Sequence, residues 1–479
     1  MTKYPFSKQI GLFLGPLCFT ALYFLPLSFV SENGNLVIAT ALWMIVWWIT
    51  EAVAISVTAL LPLLLFPLLQ VMPMDAVGAN YGSPIVFLFF GGFVLALALE
   101  KVNLHKRIAL NIIKKTGTSP NRVILGFMIA TAFMSMWISN TASTVVMLPI
   151  AISVIKLLVN DEDGFTKKDR NFALSVMLGI AFSANAGGIA TIIGTPPNSV
   201  LIGLLENEYN ITISFLEWLV LGLPFSVLLI TIIYLALVKW LFPNTGLNFG
   251  TSTSVIETEL QKLGRISPKE RHVLIVFATM VLLWVFRSTI NIMVPSLKLS
   301  DTMISIAGAL ALFAIPHKLN QGDFILKWKD TKQLAWGILI LFGGGLALAK
   351  GMSSTGIVDV IANAIANANI STLLIAALLI VLMLFMTELM SNVALVAVLA
   401  PVVAGIAIGL EIPILYLLIP VTMASSCAFM LPMATPPNAI VFASGYIKVR
   451  DMARVGIILN CIAVLLLIAV FKFLMPVLF

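Results

Sequence analysis

Long apolar runs, most of them free of charged side chains, follow one another along this chain of 479 residues. Hydrophobic residues make up 60% of the sequence and charged residues only 10%. A soluble domain of this size carries far more charge, whereas a spanning helix needs about 20 mostly apolar residues. The pattern therefore predicts an all-α polytopic membrane protein. The net charge of +7 does not indicate a nucleic-acid partner, because the basic residues lie in short loops between apolar runs.

Two of the apolar segments, 123–155 and 371–410, do not fit as single spans and have polar residues at their middle. Arg122 and Lys156 flank the first, so the positive-inside rule places both its ends in the cytoplasm. The second has no basic flank. We therefore expect two re-entrant helical hairpins, one entering from each side of the membrane. The other runs predict about eleven transmembrane helices, near 9–30, 36–54, 56–72, 84–101, 172–205, 215–240, 272–291, 301–316, 333–350, 412–447 and 455–478.

The basic residues support this threading. With a cytoplasmic N-terminus and an external C-terminus, the inner loops and the N-terminal tail carry 24 of the 28 Lys and Arg residues. Such a bias is typical of multi-pass proteins of the cell membrane. The stretch 101–122 mixes basic and apolar residues, which predicts an amphipathic arm along the inner surface, and 243–270 is the longest polar linker.

The two halves of the chain carry the same landmarks in the same order. These are FGG at 90–92 and 342–344, Ser-Asn at 139–140 and 391–392, Pro at 149 and 401, and TPPN at 195–198 and 435–438. The first three pairs are 252 residues apart and the last is 240 apart; the charged loop 160–171, which the second half lacks, accounts for the difference. The two FGG helices should cross in opposite directions. An inverted repeat is typical of a secondary transporter with its site at the midplane.

Two broken helices are expected in the long runs 172–205 and 412–447, because prolines and small residues interrupt both. An unwound segment is predicted near 194–198. Irregular backbone within a bilayer is tolerated only against protein or a water-filled cavity. Helix N-termini and Ser, Thr and Asn side chains donate to anions, while unwound carbonyls bind Na⁺. We therefore expect the first tip, 139–141, to hold one carboxylate of a substrate and the second tip, 391–392, to hold the other.

Other interpretations of the same residues give packing contacts, a channel or an enzyme. A lone Ser or Thr in a membrane helix is more often a packing contact, but the duplication of both motifs favours a binding site. Glu388, the only charged residue in 371–410, is either a coupling residue for a proton or ion, or part of a buried pairing within the hairpin. A channel would need a continuous polar stripe. An enzyme would need a catalytic arrangement that includes His or Asp in the core segments. We expect a carrier and not an enzyme.

The paired Ser-Asn tips, the paired Thr-Pro segments and the inverted repeat together resemble the divalent anion/sodium symporters, the INDY-type dicarboxylate transporters. The resemblance covers nearly the whole chain. It implies a homodimer with elevator-type scaffold and transport domains, no cofactor other than Na⁺, and substrates such as succinate, malate, fumarate, 2-oxoglutarate or citrate, with sulfate in some members. The implied parts are 1–122 (first scaffold and arm), 123–242 (first transport part), 243–270 (linker), 271–370 (second scaffold) and 371–479 (second transport part).

The resemblance also implies a role for each residue that matches a motif. The substrate contacts would be Ser139, Asn140, Thr141, Thr195 and Pro196 in the first half, and Ser391, Asn392, Val393, Thr435 and Pro436 in the second. The first sodium site would use Ser135, Ser139, Asn140 and the backbone near Gly194. The second would use Thr387, Ser391, Asn392 and the backbone near Met390 and Ala434.

Two residues depart from the family pattern. Val393 replaces a threonine, so one hydroxyl is lost, and a hydrogen bond to a charged group is worth about 1.5–3 kcal/mol. Met390 is bulkier than the usual residue and crowds the second sodium site. Importing a dianion against the membrane potential costs about 2.3 kcal/mol per charge per 100 mV, which a symporter offsets with cations and an exchanger avoids. These two residues favour dicarboxylate exchange, with sodium-coupled symport as the alternative and a sulfate carrier as a more distant one.

Overall fold

The protein is described by a computed structural model that covers residues 4–117, 119–159, 166–244, 252–318, 323–367 and 370–478. The first half contains α1 (Phe6–Phe24), α2 (Glu32–Thr50), α3 (Ile55–Thr58), α4 (Leu61–Leu68), α5 (Met74–Tyr81), α6 (Pro84–Lys101), α7 (Leu104–Thr116), α8 (Pro120–Ser135), α9 (Asn140–Val159), α10 (Lys167–Gly188), α11 (Pro196–Tyr209) and α12 (Phe215–Leu235), which continues as a π-helix (Ala236–Leu241).

Within its described residues, the second half is also helical, apart from one antiparallel pair of short strands that the sequence did not predict. It contains α13 (Ser252–Leu263), α14 (Pro268–Met293), α15 (Asp301–Ala314), β1 (Pro316–Lys318), β2 (Asp323–Phe324), a 3-10 helix (Trp328–Gln333), α16 (Trp336–Ser354), α17 (Ile357–Ala366), α18 (Thr372–Met386), α19 (Asn392–Gly409), α20 (Ile414–Ala424), α21 (Pro436–Phe442), α22 (Val449–Ala469), a π-helix (Val470–Leu474) and α23 (Met475–Leu478).

The predicted all-α multi-pass fold is confirmed. Seven helical stretches in the described ranges are long and apolar enough to cross a membrane, namely Glu32–Thr50, Met74–Lys101, Phe215–Leu241, Pro268–Met293, Trp336–Ser354, Asn392–Gly409 and Val449–Leu478. Shorter apolar helices such as α15 and α18 occupy other predicted runs. The run 56–72 is not one helix but is divided into α3 and α4. Pro62 lacks the N–H that a continuous helix would need at this point.

Each predicted hairpin consists of two helices that are separated by a short tip. In the first, α8 ends at Ser135 and α9 begins at Asn140. In the second, α18 ends at Met386 and α19 begins at Asn392. Both tips therefore fall at the duplicated Ser-Asn motif, as the sequence predicted, and each tip is followed directly by a helix N-terminus.

Both predicted broken helices are interrupted as well. The first break separates α10 from α11 and the second separates α20 from α21. The first break lies at 189–195 and not near 194–198 as predicted, since Pro196 is already the first residue of α11. Proline suits this position because its missing N–H would be unpaired there and its φ is already helical.

The FGG motif of each repeat packs closely against a segment of the other repeat. A Cβ atom on Gly91 in α6 would lie 2.2 Å from Ser305 Oγ in α15, and one on Gly344 in α16 would lie 2.2 Å from Ala59 O. Glycine is therefore required for these close approaches between segments of different repeats. The interlocking of the repeats places both hairpins and both broken helices in one folded unit.

The predicted interfacial arm corresponds to α7, whose apolar side is buried at Ala109 and Leu110. The predicted polar linker is not wholly irregular, because it contains α13, which packs on α7. Lys106 Nζ lies 2.7 Å from Glu259 Oε2 on α13, which holds the two helices together. Residues 245–251 of the linker and 160–165 of the charged loop lie outside the described residues.

Candidate substrate and cation site

The tip of the first hairpin places polar groups at the start of α9. Ser139 Oγ accepts a hydrogen bond from Ala142 N at 3.1 Å, so Ser139 caps this helix. Ser139 and Thr141 are exposed, and Asn140 is half-buried. The N-terminus of a helix carries partial positive charge and unpaired N–H groups. This tip is therefore suited to bind a carboxylate.

Oxygen atoms from three segments come together close to this tip. A Cβ atom added to Gly194 would lie 2.5 Å from Gly188 O and 3.0 Å from both Ser135 O and Thr191 Oγ1. A Cβ atom added to Gly188 would lie 2.7 Å from Asn140 Oδ1 and 3.1 Å from Gly194 O. The two glycines therefore border one small space. We call the oxygens around it the oxygen ring: Ser135 O, Asn140 Oδ1, Gly188 O, Thr191 Oγ1 and Gly194 O.

The oxygen ring is suited to a small, hard cation. Asn140 Oδ1 is buried and has no hydrogen-bond partner among the described residues. Thr191 donates its hydroxyl hydrogen to Met136 O at 2.6 Å, so its lone pairs remain available. Gly188 O already accepts a hydrogen bond from Asn198 Nδ2 at 3.3 Å, whereas a bound cation would satisfy Asn140 Oδ1, which would otherwise be a costly buried acceptor without a donor. Unwound carbonyls and helix C-termini are the groups that bind Na⁺ in transporters with broken helices.

The ring includes three of the four predicted ligands of the first sodium site. Ser135 contributes its carbonyl, because its hydroxyl lies 2.7 Å from Ser143 Oγ. Ser139 is the exception, since its side chain caps α9. Gly188 and Thr191 were not predicted, and the only signal for them was their position within the broken helix.

The second tip is built differently. Thr387 Oγ1 lies 2.6 Å from Asn392 Oδ1 and 2.9 Å from Ser425 O. We call these three oxygens the second cluster. Ser391 caps α19, with its Oγ 3.5 Å from Ala394 N. The predicted residues Thr387, Ser391 and Asn392 thus lie together, and Ser425 was missed.

Within the described ranges, the second half has no direct equivalent of the oxygen ring. Ala428 and Ala434 occupy the repeat-related positions of Gly188 and Gly194, so the second half has methyl groups where an added Cβ atom in the first half would lie within 2.7 Å of an oxygen. Met390 is buried. Among the described residues, no hydrogen bond links Met390 or Ala434 to the second cluster.

Glu388 accepts hydrogen bonds from the backbone of the second break, which lies between α20 and α21. Its carboxylate accepts hydrogen bonds from Phe429 N and Met430 N, both at 2.9 Å, and from Leu431 N at 3.0 Å. Asn460 Nδ2 donates a fourth at 2.7 Å. Glu388 is 3% exposed, and these four donors satisfy its buried carboxyl oxygens. The geometry agrees with a buried pairing, although the partners lie in the broken helix and α22 and not within the hairpin.

The asparagine of each TPPN motif donates hydrogen bonds to the backbone of the break that precedes it. This role was not predicted. Asn198 Nδ2 lies 2.9 Å from Thr191 O. Asn438 Nδ2 lies 3.1 Å from both Ala428 O and Leu431 O. Both asparagines are fully buried. The signal for this role was the recurrence of Asn after both Pro-Pro pairs.

The two halves of the site meet at the broken helices. Asn185 Nδ2 in α10 donates to Thr435 Oγ1 at 3.0 Å, and the rings of Phe182 and Phe429 are 5.0 Å apart. Helices α9 and α10 pack against α21, while α11 packs against α19. Of the predicted Thr-Pro contacts, Thr195 and Thr435 are buried, Pro196 is half-buried and Pro436 is exposed.

The sequence matches a known protein family over nearly its whole length. Residues 7–479 match the family described as the sodium:sulfate symporter transmembrane region. The chain is 38% identical over 481 residues to the sodium-dependent dicarboxylate transporter SdcS of Staphylococcus saprophyticus, with 99% of this chain and 92% of that protein covered. It is 39% identical over 484 residues to the protein of the same name from Staphylococcus aureus, with 99% and 93% covered.

Two solved structures share the fold. The YdaH transporter of Alcanivorax borkumensis has a TM-score of 0.58 at 13% identity, covering 83% of this chain and 87% of that one. MtrF of Neisseria gonorrhoeae, described as an antimetabolite efflux pump, has a TM-score of 0.52 at 11% identity, covering 98% and 95%. Because these identities are low, the two structures support the transporter fold alone. The family match spans nearly the whole chain, and the chain therefore belongs to the sodium:sulfate symporter family, that of the divalent anion/sodium symporters.

Proposed function

We propose that the protein is a secondary active transporter that moves a dicarboxylate of the succinate, malate, fumarate and 2-oxoglutarate class together with Na⁺. The observation that carries the proposal is the oxygen ring, a group of buried acceptors beside a helix N-terminus that suits a carboxylate. The relatives named as sodium-dependent dicarboxylate transporters support the same substrate class and the same ion.

Symport replaces exchange as the favoured mode of coupling. The preference for exchange came from Val393 and Met390, and neither residue belongs to the oxygen ring, which lies wholly in the first half. The ring is therefore intact despite both changes. The names of the relatives also indicate sodium dependence, and none of them supports exchange.

In this proposal the substrate lies between the two tips. One carboxylate is bound by the N-terminus of α9 with Ser139 and Thr141, and the other by the N-terminus of α19 with Ser391 and Asn392. Thr195, Pro196, Thr435 and Pro436 complete the walls. The tips and breaks contain no Lys or Arg, so the cation supplies the positive charge that a buried dianion needs.

Asn140 couples the ion to the substrate. Its side-chain oxygen belongs to the oxygen ring, while its backbone begins the helix whose N-terminus faces the anion. Sodium bound in the oxygen ring would therefore fix the side chain of Asn140 and order the first tip for substrate binding. By thermodynamic linkage, bound substrate would strengthen sodium binding by the same factor.

The larger movements also belong to the proposal. The two hairpins and two broken helices would move together as the transport domain, and the remaining helices would form a scaffold that dimerises. The re-entrant insertion of the hairpins, the five-part division of the chain, the cytoplasmic N-terminus and the external C-terminus remain predictions from the sequence and the family resemblance.

Uptake of labelled succinate into proteoliposomes tests the proposed function. Vesicles are either empty or preloaded with dicarboxylate, each with and without an inward Na⁺ gradient. We expect the gradient to drive accumulation in empty vesicles. Uptake that requires internal dicarboxylate and ignores Na⁺ would identify an exchanger instead. Uptake of citrate or sulfate but not succinate would overturn the substrate class.

The variant Val393→Thr is expected to bind dicarboxylate more tightly. Val393 is half-buried at the second position of α19, where the first repeat has Thr141. A hydroxyl that donates to a carboxylate should lower the KM for succinate about tenfold, with little change in the sodium dependence. Val402→Thr, at a half-buried position far along the same helix, serves as the control. An unchanged KM in Val393→Thr would place residue 393 away from the substrate.

A further inference from the structure

We infer that Asn185 is a positioning residue for the substrate, because it fixes the hydroxyl of Thr435 as a hydrogen-bond donor. This inference rests on the proposed function and adds a residue from the first repeat to the carboxylate site of the second. No motif indicated Asn185, which lies in the last turn of α10.

The side chain of Asn185 crosses from one repeat to the other. It is 2% exposed, and its Nδ2 atom lies 3.0 Å from Thr435 Oγ1. The same nitrogen lies 3.4 Å from Ala428 O and 3.5 Å from Asn438 Oδ1. Ala428 O and Asn438 Oδ1 can only accept, so the amide nitrogen of Asn185 and not its amide oxygen must face them.

The hydroxyl of Thr435 has one hydrogen and two lone pairs. Both lone pairs have donors, since Asn185 Nδ2 lies at 3.0 Å and Asn438 N at 3.4 Å. No described residue accepts the remaining hydroxyl hydrogen. Thr435 can therefore donate its hydroxyl hydrogen only to a group outside these contacts. It directly precedes Pro436, which is exposed. A carboxylate, which only accepts hydrogen bonds, is the complementary ligand.

The first repeat lacks this arrangement. Ser425 occupies the repeat-related position of Asn185. Its hydroxyl donates to Thr422 O at 2.7 Å, at the end of α20. Thr195, the counterpart of Thr435, makes no side-chain capping bond. The first tip has the hydroxyl of Thr141, which the second tip lacks. A fixed donor at Thr435 therefore offsets the missing hydroxyl at the second tip.

A double-mutant cycle with Asn185→Leu and Thr435→Val tests this inference by initial rates of succinate uptake. Leucine is similar in size to asparagine but cannot donate, and Ala428 O keeps its bond from Asn438 Nδ2 at 3.1 Å. We expect each single variant to raise the KM for succinate about five- to tenfold, with the maximal rate and the sodium half-saturation nearly unchanged. The double variant should match Thr435→Val alone, since Asn185 acts through Thr435.

Ser183→Ala is the matched control, because Ser183 is a fully buried polar residue of the same helix, two positions from Asn185. It should keep the wild-type KM. A wild-type KM in Asn185→Leu, or KM increases that multiply in the double variant, would overturn the inference. If Asn185→Leu does not fold, Asn185→Ser is measured in the same cycle. Absence of succinate uptake by the wild type would instead reject the proposed function itself.

Discussion

The variant Gly194→Ala is expected to lose sodium-dependent uptake. The added methyl group would lie 2.5 Å from Gly188 O and 3.0 Å from Ser135 O and Thr191 Oγ1, so it would fill the oxygen ring. Two of these atoms are backbone carbonyls, which cannot move away as a flexible side chain would. We expect the sodium concentration for half-maximal succinate uptake to rise at least about 100-fold, which corresponds to about 2.8 kcal/mol.

The control for this variant is Gly78→Ala, because a Cβ atom at Gly78 in α5 would have no neighbour within 4 Å. It should transport as the wild type does. The thermal unfolding midpoint of both purified variants in detergent separates loss of the ring from loss of the fold. A folded Gly194→Ala protein with wild-type sodium dependence would show that the ring does not bind the coupling ion.

The variant Asn438→Leu is expected to disable transport, because the backbone between α20 and α21 loses hydrogen bonds that fix its conformation. Leucine has a similar volume but removes the bonds from Asn438 Nδ2 to Ala428 O and Leu431 O, both 3.1 Å long. Each carbonyl keeps one donor, since Asn185 Nδ2 lies 3.4 Å from Ala428 O and Ala434 N lies 3.2 Å from Leu431 O. The loss of two hydrogen bonds, at about 0.5–1.5 kcal/mol each, is enough to shift the break away from its binding geometry. We expect the maximal rate of succinate uptake to fall at least about tenfold while the helices remain folded.

Asn111→Leu is the comparison for this second variant. Asn111 also donates its amide to a backbone carbonyl, that of Arg107 at 2.8 Å, but it is exposed on the arm helix, where water can replace the bond. It should keep nearly full activity. If Asn438→Leu transports as well as Asn111→Leu does, the geometry of the second break does not depend on its TPPN asparagine.

The tips and breaks could be predicted from the sequence because side chains mark them. The recurrence of Ser-Asn located both tips, and the paired prolines located both broken helices. The boundary of the first break was misplaced because Pro196 was taken to interrupt a helix, whereas it begins one. Proline is compatible with both roles, and the choice depends on which residues before it can leave the helix.

The oxygen ring could be predicted only in part, because most of its atoms belong to the backbone. Carbonyl oxygens such as Gly188 O have no signature in the sequence beyond the glycine that leaves space beside them. The partners of Glu388 were hidden for the same reason, since three of its four donors are backbone N–H groups more than 40 residues away. Attention to the side chains of Val393 and Met390 therefore favoured exchange, although neither residue is part of the ring.

Movement of labelled sodium is the most direct measurement of the central claim, that a cation in the oxygen ring travels with the dicarboxylate. Proteoliposomes with equal sodium on both sides and tracer ²²Na⁺ outside are given an inward succinate gradient. If the claim holds, ²²Na⁺ accumulates with succinate in the wild type and fails to accumulate in Gly194→Ala. Succinate entry without any ²²Na⁺ accumulation in the wild type would contradict it.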